Sequence, residues 1–226
     1  MLTYGFAFGV ILGVVAPIGT VSGIQNFAFY LLSGTLPWGF YNMVTSTSMT
    51  SLIGNSNLVR KVSFPRENLV IAQAIFSFTQ FAIEIAVLAL VMSFAGVVVI
   101  PLIPLAIYMM LMLAAFSTGI GLVLAPLSVY FRDLNYLWQV VTQMYFFLIP
   151  IIYNEESLEG RVPKWFMTFV EWNPMALYVR GFRHAFYDGE APSLGKIGLM
   201  AGYALISLTI GFVVFGRLNR RVAEEI

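Results

Sequence analysis

Residues Ile85–Phe131 read IAVLALVMSFAGVVVIPLIPLAIYMMLMLAAFSTGIGLVLAPLSVYF, without a single charged side chain. A helix needs about 20 mostly apolar residues to cross a hydrocarbon core, at about 1.5 Å rise each. This stretch holds two crossings, and Pro101 and Pro104 mark the opening of the second, because proline at a helix start leaves no amide hydrogen unpaired. Upstream, Asn68–Ile83 is separated from it by Glu84 alone. Downstream lie the charge-free runs Leu134–Asn154 and Ile197–Gly216, and Met1–Val59 is long enough for two further spans. The pattern predicts an all-α polytopic membrane protein with about six transmembrane helices, near 2–20, 27–53, 68–95, 101–126, 134–153 and 194–216, in a single domain over 1–226.

Composition agrees. The chain is 59% apolar and 10% charged, where a soluble domain is roughly 45–50% apolar and about 25% charged. Mean hydropathy is +0.85. A net charge of +1 provides no footprint for nucleic acid. The absence of cysteine excludes a disulfide scaffold, thiol catalysis and Cys-ligated zinc, and leaves the compartment open.

The breaks between runs have local causes. Gly19-Thr20-Val21-Ser22-Gly23 through Asn26 is turn-rich. Asn55-Ser56-Asn57, with Arg60, Lys61 and Arg66 beyond it, reads as a polar loop, and Phe64-Pro65-Arg66-Glu67 starts the next helix. Pro126 is expected to close the fourth span. Pro37 and Pro150 read as kinks whose freed carbonyls need partners from other helices or water. Short segments carrying Arg60, Lys61, Arg66, Arg132, Arg217, Arg220 and Arg221 belong on the cytoplasmic face by their lysine and arginine content, which also places the C-terminus there. Region 154–193, with four dispersed cations (Lys196 follows just after it) and six carboxylates, belongs outside.

Catalytic machinery is missing. No G-x-x-x-x-G-K-[ST] phosphate loop is present. The single histidine, His184, excludes a two-histidine metal site, and Asp133 and Asp188 are the only aspartates, so no metal centre is expected. Glu155-Glu156 and Glu224-Glu225 read as solvated surface charge. Glu84 is the one intramembrane charge: either it faces a cavity or partner, or its protonated carboxyl bonds Gln80 one turn earlier. Aromatics near predicted span ends, among them Trp38, Trp138, Tyr153, Trp165 and Trp172, fit an interfacial belt or a slide for sugar rings. Trp38, Tyr41, Glu84, Tyr145 and Phe146 are the candidate channel lining.

Seven fragments in order then resemble ABC-type polysaccharide export permeases, the membrane subunits that move O-antigen, teichoic acid, capsule or galactan chains. They are Leu31–Trp38, Asn57–Glu67, Val129–Leu134, Pro150–Tyr153, Asn173-Pro174, Arg183 with Gly189, and Arg217–Glu225. The resemblance implies a non-enzymatic transport subunit that works as a homodimer in the bacterial plasma (inner) membrane and binds no cofactor itself. ATP and magnesium would sit on a separate ATP-binding subunit, and the substrate would be a polyprenyl-pyrophosphate-linked glycan. Asn57, Arg60, Lys61, Phe64, Pro65, Arg66 and Glu67 would couple to that ATPase. Tyr130, Phe131, Arg132 and Asp133 would form a cytoplasmic elbow. Tyr153, Asn173, Pro174 and Arg183 would belong to an outer gate whose short re-entrant helices lie within 154–193. From charge alone, Arg60, Lys61 and Arg66 also fit topology control or, as the lesser alternative, attraction of a pyrophosphate.

Relatives begin with an amphipathic membrane-surface helix and a full first span. Here no charge precedes the first run, and residues 1–18 resemble only the later part of that span, so the start is expected to be truncated or the first span short and tilted. Two rival readings are a permease for a small lipid or drug, and an integral membrane glycosyltransferase; the missing acidic metal motif opposes the latter.

Overall fold

The computed structural model describes residues 27–62, 64–94, 100–131, 133–153, 155 and 162–225. The first predicted span, Arg132 and the Arg60 side chain lie outside the described residues. All regular structure among the described residues is helical: α1 (Phe27–Gly54), α2 (Ser56–Lys61), α3 (Glu67–Phe94), α4 (Ile103–Tyr130), α5 (Leu134–Leu148), α6 (Lys164–Trp172), α7 (Pro174–Arg183) and α8 (Leu194–Glu225). A 3-10 turn, Ile100–Leu102, precedes α4, and a π turn, His184–Asp188, follows α7.

Three of these helices are long and apolar enough to cross a membrane: α3, α4, and α8 as far as Asn219. Their outer faces carry exposed Phe76, Ile83 and Leu90 on α3, and Leu205, Ile206 and Val213 on α8, surfaces that suit hydrocarbon rather than water. α1 has the length, but its second half is rich in Ser and Thr. α5 stops at Leu148, five residues before the expected end; its 15 residues rise about 22 Å, short of the roughly 30 Å hydrocarbon core. Pro150 ends it in a turn, so the expected kink is a helix terminus. Pro126 does not close α4, which continues to Tyr130. The Asn55–Lys61 segment is helical from Ser56 on: Leu58 N–H bonds the Asn55 carbonyl at 2.9 Å, and Val62 N–H bonds that of Leu58 at 3.0 Å.

Two compact units divide the chain. Among the described residues, the first takes those up to Gly39, those of Ile83–Met109 and those of Tyr145–Ile197. Its centre is α7, where Met175, Ala176, Leu177, Tyr178, Val179, Phe182 and Arg183 are all buried. The second takes Phe40–Ala82, Met110–Met144 and Gly198–Ile226. Leu52, Val70, Leu122, Ala125 and Phe215 form one of its cores, with Leu69, Val129 and Tyr130 packed against them. Within that unit α4 and α8 approach closely at Gly119, Ser207 and Gly211. A Cβ on Gly119 would collide with the Ser207 backbone, and Ser207 Oγ donates to the Phe116 carbonyl at 2.7 Å. Small residues let membrane helices bring their backbones together, and a hydroxyl can bridge them.

Candidate functional site

The gate segment is built around Asn173 and Arg183. Asn-Pro begins α7: Pro174 occupies the first helical position, and the Asn173 side chain caps the exposed amides. Its Oδ1 accepts from Met175 N–H at 2.9 Å, from Ala176 N–H at 3.1 Å and from Tyr145 Oη at 2.7 Å. One buried oxygen thus starts a helix and ties it to the end of α5. Tyr145 also meets Trp38 edge-on at 5.5 Å, and Phe146 lies 5.8 Å from the same indole.

Arg183 sits at the other end of α7, where a cation favours the helix dipole, and is 8% exposed. Its Nη1 donates to the Pro150 carbonyl at 2.8 Å and its Nη2 to that of Ile151 at 3.1 Å. These are backbone acceptors in the turn where α5 has stopped. The guanidinium carbon lies 3.6 Å over the Tyr30 ring, a cation–π stack in a desolvated place. Gly34 on α1 leaves room for this approach, since a Cβ there would be 3.0 Å from Arg183 Nη2, tighter than ordinary contact. Burial lowers the Arg183 pKa from its ordinary value, and the neighbouring Tyr30, Glu155 and Asp188 oppose that shift. Among the described residues no carboxylate lies within salt-bridge distance of it. Tyr30 Oη donates to the Tyr153 carbonyl at 2.9 Å, and Tyr153 Oη donates to that of Leu148 at 2.9 Å.

Arg180 organises the rest of the segment. It pairs with Glu155 at 3.2 Å and donates to the Val170 and Glu171 carbonyls at 3.2 and 2.9 Å, closing the end of α6. The π turn carries a His184–Asp188 contact of 2.8 Å and ends at Gly189, whose φ of 72° favours glycine. No local sequence pattern marks Tyr30, Gly34 or Arg180 as members of this network. The i, i+3 and i, i+4 spacing of Arg180 to Arg183 and His184 comes nearest to one, but the partners on α1 and α5 are distant in the chain.

In the second unit, Arg66 Nη1 donates to the Asn219 carbonyl at 3.0 Å and to its Oδ1 at 3.1 Å. Tyr130 Oη donates to the Leu218 carbonyl at 3.0 Å, and Ser128 Oγ to that of Met49 at 2.5 Å. Arg66 is therefore engaged within the chain. Asn57, Lys61 and Pro65 are exposed, and Phe64 and Glu67 are half-buried. Leu58, Val62 and Phe131 expose apolar side chains nearby. Asp133 stands at the head of α5, its carbonyl accepting from Tyr136 and Leu137 N–H.

Trp38, Tyr145 and Phe146 pack together in the first unit, Tyr41 stacks on Phe116 at 6.1 Å in the second, and Glu84 is half-buried on α3. Trp38 and Tyr41 are 4% and 3% exposed, so both are packed side chains. Among the described residues no cluster of His, Asp or Glu could hold a metal ion.

Residues 1–187 match the model of the family described as ABC-2 type transporter. An O-antigen export system permease protein RfbA of Klebsiella pneumoniae is 24% identical over 99% of this chain and 82% of its own length. A protein of the same name in Myxococcus xanthus is 23% identical over 100% and 83%. The polysialic acid transport protein KpsM of Escherichia coli is 21% identical over 84% and 72%. The order of long apolar helices and the family match over most of the chain agree, and the protein belongs to the ABC-2 type transporter family of multi-pass membrane proteins.

Proposed function

We propose that this chain is the membrane permease subunit of an ATP-driven exporter that moves a lipid-linked polysaccharide from the cytoplasm to the outer side of the bacterial plasma membrane. The observation that carries the reading is the near full-length similarity to O-antigen export permeases, which extends through the gate and the C-terminal helix. A separate ATP-binding subunit supplies hydrolysis with its own ATP and magnesium, consistent with the lack of a phosphate loop here. Two copies of the permease enclose the path, and the carrier is a polyprenyl pyrophosphate.

The exposed Asn57, Leu58 and Lys61 of α2, with Val62 just after it, form the coupling surface, with Phe131 beside the elbow. Apolar side chains flanked by Lys61 suit a groove on a partner better than open water. Arg66 acts from behind, holding the start of α3 to the end of α8 through Asn219. Transport begins when ATP closes the partner subunits and the coupling surface passes that motion to the helices. Opening of the gate then requires the Arg183 and Asn173 contacts to rearrange.

The test is deletion of the gene, with surface glycan measured alongside recovery of the ATPase on the tagged, re-expressed permease. Loss of surface glycan, intracellular accumulation of the lipid-linked chain and co-purification of an ATP-binding subunit are expected. Unchanged surface glycan together with a changed lipid or drug profile would replace this reading with the small-molecule exporter.

A further inference from the structure

The second unit contains a groove of about 430 Å³ between the later half of α1 and the start of α5, within the usual size of small-molecule clefts of about 300–1,000 Å³. Its walls are Ser46, Thr47 and Thr50 on one side and Asn135, Trp138 and Gln139 on the other. Ser46 and Thr50, like Asn135 and Gln139, are four residues apart and share a helix face. The α1 hydroxyls give their protons to their own helix: Ser46 to Asn42 Oδ1 at 3.3 Å, Thr47 to the Met43 carbonyl at 2.8 Å, Thr50 to that of Thr47 at 3.1 Å. Their oxygen lone pairs are left to accept from something else. Opposite them the side-chain amides of Asn135 and Gln139 have no hydrogen-bond partner among the described residues, and each offers two donors and an acceptor. Trp138 Nε1 donates to Thr45 Oγ1 at 3.2 Å, which fixes the indole, and Tyr136 adds a second ring.

No lining side chain is charged. An anionic group entering here would lose water with no counter-charge to meet it, and a hydrocarbon chain would leave both amides unpaired. Rows of neutral donors and acceptors beside aromatic rings match a pyranose, with hydroxyls around its edge and C–H groups on its faces. We propose that this groove binds the uncharged sugar units of the glycan. The proposal rests on the export reading and adds to it a position and a substrate class: a glycan without a charge on every unit, held close to the loops at Asn55 and Asp133.

The probe is surface glycan from the producing strain, freed of lipid by mild acid, titrated against the purified permease–ATPase complex in nanodiscs. Polyprenyl phosphate alone forms a second arm. The delipidated glycan is expected to bind, and the double variant Asn135→Ala, Gln139→Ala to weaken it about tenfold, the loss of two net hydrogen bonds. Thr50→Val, a single change at an exposed position, is expected to weaken it severalfold and serves if the double variant does not assemble. Equal glycan affinity in the variants overturns the groove while leaving export intact. So does displacement of the glycan by polyprenyl phosphate, or a glycan with a carboxylate or phosphate in every repeat. Surface glycan that persists after gene deletion removes the export reading itself, and the groove proposal with it.

Discussion

Asn173 and Arg183 anchor the two ends of one ten-residue helix in different ways. Replacing Asn173 with Ala removes a cap and leaves Tyr145 Oη without its 2.7 Å acceptor, which is expected to destabilise the purified protein by about 1–3 kcal/mol. Asn173→Asp keeps the accepting oxygen and adds negative charge at a helix N-terminus, so its thermal midpoint should stay near the parent value. Equal losses in both variants would mean that the cap is not what holds α7. Arg183→Lys retains the charge but not the fork that spans the Pro150 and Ile151 carbonyls, nor the stack on Tyr30. A loss of about 1–3 kcal/mol in a melting series is expected, and an unchanged midpoint would refute the anchoring role. Sequence fragments pointed to both residues through family likeness, without their geometry. Arg183 meets acceptors 33 and 32 residues earlier, and a ring on α1 far earlier still; no local pattern encodes such a meeting. Arg66 shows the same limit, since its tie to Asn219 lies 153 residues away.

At the scale of elements, apolar runs located the helices well and their ends less well. α3 and α4 begin within two residues of the expected positions because Pro65, Pro101 and Pro104 restrict the backbone just where polar or turn residues interrupt the runs. Pro126 misled because a membrane helix can continue past a proline when other groups satisfy the freed carbonyl. α5 ended early since Pro150 removes a donor while Ile149 and Ile151 keep the run apolar; hydropathy does not register a missing amide. Packing between elements was less legible still. Gly211 on α8 faces the backbone of Gly119, and a Cβ would stand 2.5 Å from the Gly119 carbonyl oxygen, whereas Gly202 on the same helix has open space. Gly211→Ala is expected to cost about 1–3 kcal/mol by forcing the helices apart. Gly202→Ala should be neutral or gain up to about 1 kcal/mol from helix propensity. Denaturation of the two variants side by side checks this, and equal responses would show that the α4–α8 crossing does not depend on the glycine.

For the molecule as a whole, the orientation of its helices in the membrane follows from charge, and the cysteine-free sequence makes it directly testable. Lysine and arginine concentrate in the short segments around α2, the elbow and the end of α8, whereas the gate segment mixes cations with carboxylates. The positive-inside rule reads that asymmetry as cytoplasmic for the former and external for the latter. Two neutral, exposed positions report on it without altering the charge count: Asn57 on α2 and Thr168 on α6. In intact cells a membrane-impermeant thiol reagent should label Thr168→Cys and spare Asn57→Cys, with both labelled after permeabilisation of cells that lack the ATP-binding subunit. Neutral positions matter because replacing Lys61 or Lys164 would change the quantity that sets orientation. Labelling of Asn57→Cys in intact cells would put the coupling surface on the wrong side for a cytoplasmic ATPase, and the mechanism of export proposed for this chain would fail with it. If Asn57→Cys is instead protected after permeabilisation only while the ATP-binding subunit is present, the same experiment identifies α2 as the surface that subunit covers. A partner seated on Leu58 and Val62 would remove those exposed apolar side chains from water, a gain that the isolated permease lacks and that favours assembly over the free subunit.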